Sequence, residues 1–203
     1  MDNNKIMNLE ETRALLKFAK RIFPALNGLY VEYGDCYAYY PNEQKITIPK
    51  EFNDVHVGMA ILKHVNEEFG ANFEYNLREM SIQAFLHECG HHMDFEGKIF
   101  TQQIDEYMMA DNYNRRIYEM AIQDFNERAK DFVNALEQYE MSDDTDEEVE
   151  FLLEKNRIEL EYEDEELDEL YRMIPTEYAA DQFSARFFKT HLRGYKKCNY
   201  NVF

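Results

Sequence analysis

The chain has 203 residues and a mass of 24.4 kDa, and 45% of it is apolar, which is enough for one folded domain with a core or for one domain carrying an insertion. A mean hydropathy of −0.67 and the lack of any 18-residue apolar run exclude a helical membrane span. With 41 acidic against 22 basic residues the net charge is −19, so the surface as a whole repels phosphate backbones and no direct nucleic-acid partner is expected.

From the first residue the chain lacks an apolar run behind a basic stretch, and no secretory signal is expected. Leu9, Leu15, Leu16, Phe18, Ala19, Ile22 and Phe23 recur at helical spacing, and Pro24 ends that helix. Three short stretches rich in aromatic and β-branched residues follow, at 29–33, 36–40 and 45–49. Gly34-Asp35 and Pro41-Asn42 separate them, and the pattern predicts a small antiparallel meander. Residues 55–69 read as a helix, with Val55-His56-Val57 also compatible with a continued strand. A further helix is predicted over 77–93.

From Ile104 to Tyr139 the apolar residues keep a period near 3.6 without Pro or Gly, predicting one long helix or two abutting ones. A loop at 141–148 and a helix over 149–171 come next, and Pro175 opens a last helix with Thr176 as its expected N-cap. Acidity is concentrated here: 137–170 holds 17 acids and two bases, Lys155 and Arg157, so that stretch carries −15 of the total. A solvated helical face plus a loop accounts for such a run, and a contact surface for a basic protein is the alternative. Cys36, Cys89 and Cys198 are odd in number, widely spaced and without a CxxC pair, so reduced thiols and a cytoplasmic location are expected.

The strongest chemical signal is His87-Glu88-Cys89-Gly90-His91, an HExxH. On a helix, positions four apart share a face, so both imidazoles can reach one metal ion, and Glu88 beside them can act as a base. Zinc, the expected cofactor at one ion per chain, takes a third protein ligand in catalytic sites and leaves one position open. A histidine-based extension fails, because Asp94 and Gly97 stand where Gly and His are needed. Asp94 lies seven residues after His87 on nearly the same face and is one candidate. Glu177 is another: at the start of the last helix it could bind the ion while Asp181, one turn on, accepts the free N–H of a ligand histidine. Small Ala179 and Ala180 would let that helix approach closely. Glu119 on the long helix is a further candidate, without an Asp four residues later.

HECGHH followed by PTEYAADQFSARFF resembles the ImmA/IrrE-type metallopeptidases, a zincin family with HExxH and a later glutamate-bearing helix; the likeness spans roughly 9–95 and 174–190. The resemblance implies an α+β zincin-like core with a sheet of about three antiparallel strands and an active-site helix. It implies zinc ligands His87, His91 and Glu177, with Glu88 as general base and Asp181 behind a ligand histidine. It also implies hydrolysis of peptide bonds in a protein or peptide substrate, such as a regulatory protein. Relatives place the glutamate much nearer to HExxH than the 86 positions separating His91 and Glu177, so 100–172 reads as a helical acidic insertion into a core of 1–99 and 173–203.

His191 and Tyr195, after the last helix, could polarise a carbonyl. His191 also suits the C-terminal turn as a cation against the helix dipole. His56 and His64 read as surface or packing residues, Cys89 as core, and His92 as locally hydrogen-bonded. A second functional class is a binding or inhibitory protein on the same scaffold, its acidic helices mimicking nucleic acid for a basic partner.

Overall fold

The structure, a computed structural model of the chain, describes residues 5–52, 54–97, 104–141, 155, 157 and 166–192. It is mixed α and β and mostly helical, with six helices and one three-stranded sheet among the described residues. Two compact units are distinguished, one from Met1–Gln103 with Tyr178–Phe203 and the other from Ile104–Glu177. Among the described residues no helix is long and apolar enough to cross a membrane.

The first unit begins with α1 (Leu9–Ile22), which buries Thr12, Leu15, Leu16 and Ala19 on one stripe. Its start is a capping box: the Asn8 side chain accepts from the Glu11 amide, and Glu11 accepts from the Asn8 amide. Glu10 and Glu11 in the first turn and Lys20 and Arg21 in the last complement the helix dipole. After Phe23 a 3-10 turn, Pro24–Gly28, leads into the sheet.

The sheet corrects the predicted meander. The strands are β1 (Tyr30–Tyr33), β2 (Ala38–Tyr40) and β3 (Lys45–Ile48), and their order is β1-β3-β2. β1 pairs with β3 in parallel, Val31 opposite Ile46, and only β2 and β3 run antiparallel, Tyr39 opposite Ile46. Burial explains the order. Ile46, Thr47 and Ile48 are all buried, so β3 takes the centre, while β2, half-buried to exposed, suits an edge. Gly34 is accordingly a point of close approach: its amide donates to the Ile48 carbonyl, and a Cβ there would lie 2.6 Å from Thr47 Cβ.

Asp54 caps α2 (Val55–Phe69) by accepting from the amides of His56 and Val57, which settles that stretch as helix. Then α3 (Leu77–Phe95), capped by Asn76, runs through the middle of the unit. Residues on nearly every side of it are buried, from Met80 through Phe85, Leu86 and Cys89 to Met93. Against it packs the last helix (Pro175–Phe187), which continues into a π-helical turn, Phe188–Leu192. Phe188 stacks on Phe73 with centroids 3.8 Å apart.

The helix crossing is tight at one point. A Cβ placed on Gly90 would stand 2.6 Å from Ala180 Cα and 2.9 Å from the Ala180 carbonyl oxygen, so glycine is required for this approach. Ala179 and Ala180 are fully buried.

The second unit contains α4 (Ile104–Met141), a single helix of 38 residues, and α5, residues 166–173. The start of the last helix, α6, completes it. Tyr118 on α4 meets Tyr171 on α5 with centroids 5.4 Å apart, and Asn114 Nδ2 donates to the Met173 carbonyl. Leu167 and Ile174 are buried. Met141, expected in a loop, closes α4; most of that loop, of the helix expected over 149–171 and of the acidic stretch 137–170 lies outside the described residues.

Thr176 is not an N-cap. Pro175 already occupies the helix start, a position that suits its fixed φ and missing N–H, and the Thr176 hydroxyl bonds to Asp111 and Arg115 instead.

The substitution Gly90→Ala separates two effects of opposite sign. Helix propensity alone would raise stability by up to about 1 kcal/mol. The clash with the Ala180 backbone predicts a net loss of about 1–3 kcal/mol in chemical denaturation, and unchanged or increased stability would contradict the close crossing.

Candidate metal centre

The spacing of α3 puts Gln83, His87 and His91 on one stripe, each four residues from the next. The His87 and His91 rings stand edge to face, centroids 4.6 Å apart and planes at 88°. Their third companion is Glu177, in the first turn of α6. One ligand atom from each of His87, His91 and Glu177 lies within 4.8 Å of the other two, and together they form the one group of three or more potential metal ligands so placed among the described residues. His87 is 8% exposed and Glu177 5%, with His91 half-buried.

Asp181, one turn after Glu177, is completely buried. His87 Nδ1 lies 2.7 Å from Asp181 Oδ1, where it donates to the carboxylate, and in the neutral ring this puts the lone pair on Nε2. Gln83 Nε2 donates to the same carboxylate oxygen at 3.2 Å, and Ser184 Oγ donates to the Asp181 carbonyl at 2.8 Å. Buried carboxylates are costly unless charge or donors compensate them, and Asp181 has two donors from α3. Two imidazoles, one oriented from behind, and a buried carboxylate make an N,N,O donor set compatible with a metal ion.

Glu88 is buried, 9% exposed, and stands outside the three-residue group. Asp94 is half-buried at the C-terminal end of α3, and Glu119 is exposed on α4; neither belongs to the group. His191 lies half-buried, edge-on to Phe187 and Phe23 at centroid distances of 5.2 and 6.1 Å. Tyr195 lies outside the described residues. His56 is exposed, and His64 meets Phe69 edge-on. Cys89 is a core residue whose thiol pKa is pushed well up by burial and then by the charge of Glu88.

His92 corrects a reading from the sequence, because its bonds are long-range. It is 1% exposed, Nε2 donates to the Ala25 carbonyl at 3.1 Å, and Nδ1 then accepts from the Tyr39 hydroxyl at 2.9 Å. The site-bearing helix is thereby tied to the 3-10 turn and to β2.

Sequence reasoning passed over Gln83 and Gly90. Gln83 carried a usable signal, a polar residue one turn before the first histidine and on the same stripe as His87 and His91. The role of Gly90 depends on what α6 places against it, which spacing does not reveal.

If Asp181 orients His87 towards a metal ion, Asp181→Asn lowers the affinity for divalent metal roughly 10- to 100-fold in chelator competition. An unchanged affinity would remove that role. Against protein-family models, curated proteins and solved structures alike, the chain finds no match.

Proposed function

We propose that the chain is a zinc-dependent peptidase resembling the ImmA/IrrE-type metallopeptidases, with His87, His91 and Glu177 holding the ion. The supporting observation is the group of two imidazoles and a carboxylate in mutual ligand reach, with His87 Nδ1 held by buried Asp181. Two nitrogens and one oxygen suit zinc better than calcium or magnesium, which prefer all-oxygen sets. Three protein ligands are also the number used by catalytic rather than structural zinc. Bound there, zinc would supply Lewis acidity towards a carbonyl and a lowered pKa for water.

Within this reading the chain's own groups divide the work. Asp181 keeps the His87 proton on Nδ1, so Nε2 stays available. Glu88, next to His87 in sequence and outside the ligand group, takes the proton of the attacking water on its carboxylate. It then delivers that proton to the amide nitrogen as the C–N bond breaks, so water and peptide yield a carboxylic acid and an amine, which ionise to carboxylate and ammonium. The 9% exposure of Glu88 keeps competing solvent away from that proton.

Glu88→Gln tests the assignment, since it preserves size and removes the base. Zinc content stays at the wild-type level while cleavage of a quenched-fluorescent peptide library falls roughly 10²- to 10⁴-fold. Loss of zinc together with activity would overturn the role of Glu88. A wild-type chain that holds zinc yet cleaves nothing in the library would overturn the peptidase reading.

A further inference from the structure

Asp111 on α4 is a carboxylate with only 5% of its surface exposed. Arg115, one turn on, donates from Nε to Asp111 Oδ2 at 2.7 Å and from Nη2 to Thr176 Oγ1 at 2.8 Å. The Thr176 hydroxyl closes the ring by donating to Asp111 Oδ1 at 3.3 Å. Three side chains thus satisfy one another in a cycle that joins α4 to the first turn of α6, and the residue after Thr176 is Glu177. We propose that Arg115 is a positioning residue for Glu177: bridged between Asp111 and Thr176, it fixes the turn from which that carboxylate is presented. The proposal rests on the reading of Glu177 as a metal ligand.

Several features support a role beyond generic packing. A surface i,i+4 ion pair contributes only a few tenths of a kcal/mol and gives no reason to bury its acid. Here the acid is buried and the arginine carries a second bond into another helix, using the forked geometry that lysine lacks. The charge of Glu177 also acts on Arg115, whose side chain is 46% exposed: partial burial works against its charge, yet Asp111 first, then Glu177 and Tyr171, hold its pKa above the ordinary value. The first turn of a helix has amide groups without intrahelical partners, and a mobile first turn would scatter the carboxylate it carries.

The test is zinc affinity, measured with zinc alone by chelator competition, in two backgrounds. With Glu177 present, Arg115→Met and Thr176→Val each weaken binding about tenfold, within the range for groups that orient ligands. In a Glu177→Ala background, whose affinity is already lower, Arg115→Met causes no further loss. Arg115→Lys restores charge without the bridge and does not rescue binding. Thr176→Val leaves the Asp111–Arg115 pair intact, so it covers the case in which Arg115→Met fails to fold, and melting of the metal-free chain reports folding directly.

Equal losses in both backgrounds, or full rescue by lysine, would overturn the positioning role while leaving the zinc site standing. Failure of the wild-type chain to bind zinc would overturn the site and this proposal with it.

Discussion

Two acidic side chains on successive turns of α6, Glu177 and Asp181, are buried, and the helices around them are organised to make that burial tolerable. A carboxylate moved out of water loses several kcal/mol of hydration unless donors or a cation replace it. For Asp181 the replacement is visible in the two donors from α3, Gln83 and His87. For Glu177 it comes in part from the positive end of its own helix and from the charge of Arg115, and in our reading mainly from zinc. Both requirements set the same packing condition: the stripe Gln83, His87, His91 must meet the stripe Glu177, Asp181. Glycine at 90 and alanine at 180 allow the backbones to come that close.

α3 bears most of this load. A helix buried on nearly every side has no solvated face for polar residues, so each one it contains must find a partner inside the protein. Ser81 accepts from the Met7 amide, Gln83 and His87 reach Asp181, and His92 joins Tyr39 to the Ala25 carbonyl. The Tyr39 hydroxyl, pushed up to about 12 by burial and by the charge of Glu96, remains a proton donor across the ordinary pH range. The sheet and the first 3-10 turn therefore act as a brace for the helix that carries the histidines. A polar network of this kind resists small rotations that apolar packing would allow, and ligand geometry is sensitive to such rotations.

The parts of this arrangement legible in the sequence are those set by local periodicity. His87 and His91 share a face because they are four apart on a helix, and the helix starts expected at 9, 55, 77 and Pro175 are where α1, α2, α3 and α6 begin. The strands are legible as strands, yet their order is not. A meander follows from adjacency in sequence, whereas the observed order follows from β3 being buried at three consecutive positions, unlike β1 and β2. Thr176 shows the same limit at a helix end, since a hydroxyl next to proline looks like a cap until the arginine from α4 claims it. Gly90 and Gln83 take their meaning from residues about ninety positions away in the chain, and no local pattern encodes that pairing.

The central claim is that His87, His91 and Glu177 form a zinc site. Elemental mass spectrometry of the chain purified without added metal, beside His87→Ala, tests it most directly. One zinc per chain in the wild type and none in the folded variant is the predicted result. Absence of metal from a folded wild-type chain that also takes up no zinc when it is supplied would contradict the account.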